Sequence, residues 1–114
     1  MQRLLVLAAS AAAFLVLVAP AAARVRLVSI SPQPAHPGNP VTLTARVSSS
    51  RVTCRITVNY KSGPSRAKGL GPKRPIRGRV SWTWLVGTRT TPGRWGIVVS
   101  CGSAGTLRTS FRVV

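Results

Sequence analysis

From Val25 to the C-terminus, apolar and polar residues alternate in short runs that Gly, Pro and Ser break apart. Val41, Leu43, Ala45 and Val47 share one parity, while Thr42, Thr44 and Arg46 take the other. Val52, Cys54, Ile56, Val58 and Tyr60 repeat the pattern against Arg51, Thr53, Arg55, Thr57 and Asn59. Val80, Trp82, Trp84 and Val86 do so again, followed by Trp95, Ile97, Val99 and Cys101, and then by Leu107, Phe111 and Val113. Side chains of a strand point alternately to its two faces, so each run reads as a strand with one buried side. Six strands are predicted, at 25–30, 41–47, 51–60, 79–86, 94–101 and 107–114. SPQPAHPGNP, residues 31–40, is too rich in proline for a strand interior, and residues 61–79 hold one short edge strand at most. The pattern predicts an all-β fold, a two-sheet sandwich of about seven antiparallel strands.

The first 23 residues follow a different rule. Arg3 precedes an apolar run from Leu4 to Ala19, Pro20 breaks it, and Ala21, Ala22 and Ala23 supply small residues. That is the layout of a secretory signal peptide, with cleavage expected after Ala23. The competing reading is an uncleaved anchor, since Leu4 to Ala23 nearly reaches the length needed to span a bilayer. Residues 24–114 are then expected to form one domain, without a transmembrane segment, placed outside the cell or in the cell envelope.

Export changes how the cysteines are read. The chain has two, Cys54 and Cys101, and a pair in an oxidising compartment is expected to be bridged. Two cysteines and the single His36 fall short of a zinc site, so no metal or cofactor is expected. Charge changes the picture further: 17 Lys and Arg stand against no Asp or Glu. Removing Arg3 with the leader leaves sixteen Lys and Arg and no acidic side chain to pair with them. Such a surface attracts polyanions, namely nucleic acid, anionic lipid or an acidic wall polymer. The bland alternative is compositional. A G+C-rich genome favours Arg over Lys, although it does not account for the missing acids.

VSISPQPAHPGNPVTLTARV resembles the first two strands of bacterial immunoglobulin-like domains, where a Pro-Gly loop leads into an alternating Val/Thr strand. WTWLVGTRTTPGRWGIVVSC is similar to their E–F corner, where a Thr-x-Pro-Gly-aromatic turn joins two core strands. The resemblance implies strands A, B, C, E, F and G at the six predicted runs. In that mapping a Cys54–Cys101 bridge joins C to F within one sheet, unlike antibody domains, which bridge B to F. Function does not follow, because such sandwiches host many unrelated roles.

No enzyme is expected. Without carboxylates there are no paired acids, no triad with an orienting acid and no two-metal site. His36 sits in a proline-rich loop without an assigned partner, and Gly69-Leu70-Gly71 lacks the strand–loop–helix context of a phosphate loop. Trp82 and Trp84 share parity with Val80 and Val86, which points to core packing rather than a sugar-binding platform.

The arginines do organise. If C, F and G form one sheet, its outer face carries Arg51, Arg55, Arg94, Arg108 and Arg112 among threonines and serines. Lys68, Lys73 and Arg74 add charge from the 61–79 loop, where seven Gly or Pro argue for steering a ligand rather than holding it. A face with no aromatic rings is poorly suited to reading nucleic-acid bases, so no specific nucleic-acid readout is expected. The expected function is a small secreted binding or structural module that associates with anionic extracellular or envelope material. The alternative is a protein-binding module or inhibitor acting through its loops.

Overall fold

The computed structural model describes residues 24–114. The described residues form seven strands: β1 (Val25–Ser31), β2 (Pro40–Val47), β3 (Arg55–Tyr60), β4 (Gly63–Pro64), β5 (Arg79–Leu85), β6 (Gly93–Ser100) and β7 (Thr106–Val113). One sheet runs β1-β2-β5 and the other β4-β3-β6-β7, with every named pairing antiparallel. In the immunoglobulin alphabet these are A-B-E and C′-C-F-G, so the fold is an immunoglobulin-like β-sandwich. The expected signal peptide, residues 1–23, lies outside the described residues.

The core is the sum of the predicted inward parities. Val41, Leu43 and Ala45 of β2 face Val58, Ile97 and Val99 of the opposite sheet within one apolar cluster, each nearly or wholly removed from solvent. Trp82 and Trp84 are buried within it, at 0% and 1% exposure, which settles them as core residues rather than a surface platform. Edge-to-face ring contacts run through the interior: Trp84 meets Phe111 at 5.7 Å, Phe111 meets Tyr60 at 6.0 Å, and Tyr60 meets Trp95 at 6.3 Å. Trp84 lies in one sheet and Phe111 in the other, so this stacking helps lock the two layers together.

The disulfide forms as expected, between Cys54 and Cys101. Both cysteines lie one step beyond the paired residues Arg55 and Ser100, so the bridge closes the β3–β6 ladder at its end. It therefore staples two neighbours in one sheet.

Two local details depart from the predicted pattern. β3 begins at Arg55, not Arg51, because Cys54 pairs with Lys73 of the long loop before the β6 ladder opens. In β1 the register shifts between Leu27 and Ser29, leaving Val28 as an extra residue. That bulge re-phases the strand, which is how Val25 and Ile30, an odd number of positions apart, are both buried.

Edges are covered by loops. Ala35 runs beside Val113, its amide donating to the Arg112 carbonyl and its own carbonyl accepting from Val114. This shields one end of β7. The open edge of β5 is covered by residues 69–73.

Candidate functional site

Strand register brings the outward residues of the second sheet into a grid. Reading across β3, β6 and β7, Arg55 lies beside Ser100 and Thr106, and Thr57 beside Val98 and Arg108. Asn59 lies beside Gly96 and Ser110, and Arg94 beside Arg112. Arg55, Arg94, Arg108 and Arg112 are all exposed. The sequence placed these four on one face, and the structure brings them together. At the centre stands Gly96, where an added Cβ would meet nothing within 4 Å. The face is thus flat, hydroxyl-bearing and open, with Arg94 donating from Nη1 to Ser110 Oγ at 3.1 Å. Guanidinium groups held by strands at fixed spacing suit charge-assisted contacts with carboxylates, phosphates or sulfates.

Arg51 does not join the grid. It precedes β3 in a bend, its backbone amide bonded to Ser49 Oγ at 3.1 Å. The alternating pattern continued back to Arg51, but the chain there has already left the ladder.

The loop behaves differently from a free tether. Gly69 presses so closely on β5 that a Cβ there would collide with the Thr83 carbonyl oxygen, and its φ of +95° suits glycine. The Trp82 indole donates to the Gly71 carbonyl at 2.8 Å. Lys73 exchanges two backbone hydrogen bonds with Cys54, at 2.7 and 2.9 Å, while its ammonium donates to the Ser81 carbonyl at 2.7 Å. One residue therefore links the lead-in of β3 to β5 of the opposite sheet. Lys73 is a structural clamp, a role its charge alone does not suggest. Lys68 and Arg74 are exposed on either side of this clamp.

The start of the same loop forms one wall of a shallow cleft of about 560 Å³, with Lys61, Ser62 and Tyr60 facing Arg89, Thr90 and Thr91. An adjoining hollow of about 510 Å³ extends it along Arg66, Lys68 and Leu85. Tyr60 is half-buried here; burial raises its phenol above the usual range, partly offset by the hydrogen bond that its oxygen accepts from the Trp84 indole at 3.1 Å.

A second set of arginines escaped sequence reading. Arg26 pairs with Arg46, and Arg46 pairs with Arg79, so three guanidinium-bearing residues form one row across β1, β2 and β5. All three are exposed, on the outer face of the other sheet. Behind them lies a ladder of hydroxyls, Thr44 Oγ1 to Ser81 Oγ at 2.8 Å and Thr42 Oγ1 to Thr83 Oγ1 at 2.7 Å. Alternation turns Arg46 and Arg79 outward, whereas Arg26 shares parity with buried Ile30 and faces out because of the β1 bulge; the alignment of all three depends on register.

No family model matches this chain, and no curated protein matches it. Among solved structures, the chain is similar to the titin domains Z1Z2 in complex with telethonin, at 18% identity and a TM-score of 0.42. That match covers 78% of this chain and 47% of the titin chain, so it spans about half of the latter's length.

Proposed function

We propose that this protein is an exported, non-enzymatic binding module whose basic surface associates with anionic extracellular or cell-envelope polymers. The observation that carries the reading is the planar set of Arg55, Arg94, Arg108 and Arg112 on β3, β6 and β7, in a chain with no Asp or Glu to neutralise it. The leader-like first 23 residues and the Cys54–Cys101 bridge support an oxidising destination. The inventory of side chains, with no Asp or Glu and one exposed histidine, supports a role without catalysis.

The strand-held face anchors the polymer, and the exposed loop cations Lys68 and Arg74 speed its arrival. Binding to immobilised polyphosphate and polygalacturonate, read by surface plasmon resonance at low and high salt, tests this. Arg55→Ser with Arg108→Ser should mainly raise the dissociation rate. Lys68→Gln with Arg74→Gln should mainly slow association and flatten its salt dependence. Absence of low-salt binding to both polymers would refute the reading.

A second reading, a protein-binding module, draws on the cleft between Tyr60 and the 87–91 turn and on the exposed Leu85 beside it. Binding to a protein from the same envelope that persists at high salt would favour it.

A further inference from the structure

Beyond one basic face, the register places arginines on both outer surfaces of the sandwich. Arg26, Arg46 and Arg79 form the row on β1-β2-β5, while Arg94, Arg108 and Arg112 belong to the grid on β6 and β7. Adjacent strands lie about 4.8 Å apart, so the row spans roughly 10 Å, perpendicular to its strands. Three exposed guanidinium-bearing residues in line, in a chain with no Asp or Glu, match the linear charge spacing of an extended polyanion laid along the row. About 10 Å of apolar core separates the two backbone layers, and the arginines of each sheet point away from it. The two sets therefore face opposite sides.

We infer that the protein is bivalent: the Arg26–Arg46–Arg79 row is a second polyanion site, and one domain cross-links two separate anionic polymer chains. This rests on the binding reading above, and adds to it an activity of packing or condensing polymer rather than merely coating it. Two weak sites on one rigid body gain through effective concentration once polymers crowd together, so cross-linking should appear over a window of stoichiometry and dissolve in excess polymer.

The test separates placement of charge from amount of charge. Three triple variants remove the same number of cations: Arg26→Thr, Arg46→Thr and Arg79→Thr on the first sheet; Arg94→Thr, Arg108→Thr and Arg112→Thr on the second; and Lys61→Ser, Arg66→Ser and Arg89→Ser in the loops. Threonine preserves strand propensity at the sheet positions, and thermal melts confirm that each variant is folded; should a threonine variant fail to fold, Arg→Gln at the same positions takes its place. Light scattering of mixtures with long-chain polyphosphate reads cross-linking, and binding to immobilised polyphosphate reads affinity. Each sheet variant should bind with affinity reduced no more than about tenfold yet form no large particles, whereas the loop variant should cross-link like the unaltered protein. Equal loss in all three variants, or loss in the second-sheet variant alone, would overturn the bivalent arrangement. Failure of the unaltered protein to bind polyphosphate and polygalacturonate would instead overturn the binding reading itself.

Discussion

Arg94 and Arg112 stand directly opposite each other across the β6–β7 ladder, two like charges in a chain with no Asp or Glu. Such a pairing costs stability, and the Arg94 bond to Ser110 Oγ turns only one of the two guanidinium groups aside. A fold chosen for stability alone would alternate charge here. Replacing Arg112 with Thr should therefore stabilise the isolated domain, by about 0.2–1 kcal/mol in low salt. The gain should shrink as salt screens the pair. Urea midpoints at two ionic strengths check both the sign and the salt dependence; a destabilised variant would contradict the argument.

The Cys54–Cys101 bridge closes a loop of 47 residues' separation at the end of the β3–β6 ladder. In the chain-entropy account this restricts the unfolded chain and contributes about 4 kcal/mol. The double variant Cys54→Ala, Cys101→Ala should lose a large part of that stability while keeping its far-ultraviolet signature at low temperature. Differential scanning calorimetry gives the difference. A shift in melting temperature of a degree or less would show that the bridge is dispensable.

Arg77 sits at φ +52°, followed by Gly78 at φ +78°, inside the tight turn in which Ile76 and Arg79 exchange backbone hydrogen bonds. Two consecutive positive φ values define a turn that favours Asn-Gly. Arg77→Asn should stabilise the domain, by about 0.5–1 kcal/mol. Arg74→Asn, which removes the same charge, should not. Chemical denaturation of both variants compares backbone strain with charge.

Gly69 and Gly96 predict opposite outcomes for one substitution. Gly69→Ala meets the Thr83 carbonyl and a positive φ, so it should cost about 1–3 kcal/mol and release residues 69–73 from β5. Gly96→Ala projects into open space from an extended strand and should be neutral or slightly stabilising. Limited proteolysis within 61–79 should speed up only in the Gly69 variant.

The pH response should be lopsided. Acid unfolding commonly comes from protonating carboxylates that the native state holds ionised, and this chain has no Asp or Glu. Stability should therefore stay nearly flat from neutral pH down to about pH 3. At the other end, burial raises the Tyr60 phenol above its ordinary value of 10.0. A raised native value means that the folded state holds its proton longer, so stability is intact below pH 10 and falls as pH climbs through the native value. Melting temperature against pH measures both limbs, and Tyr60→Phe should remove part of the alkaline one.

The two-residue alternation of this sequence determined its strands and its buried face, because parity decides which side chains enter a sandwich core, and a count of only two cysteines left each one possible partner. Val41, Trp82, Trp84, Cys54 and Cys101 are all buried as their parity requires. Parity also placed Arg55, Arg94, Arg108 and Arg112 outward, and the immunoglobulin-like strand order then put them on one sheet. It could not show where a strand stops, since the alternation runs on to Arg51, four residues before β3 begins, nor that a glycine- and proline-rich loop would be pinned by Lys73 to Ser81. Those contacts join positions distant in sequence through backbone carbonyls, which carry no residue signature. The row of Arg26, Arg46 and Arg79 is likewise a product of register between strands. Alternation is a property of each strand, whereas register arises only when strands pair, so the tertiary structure alone decided that these three charges would stand in line.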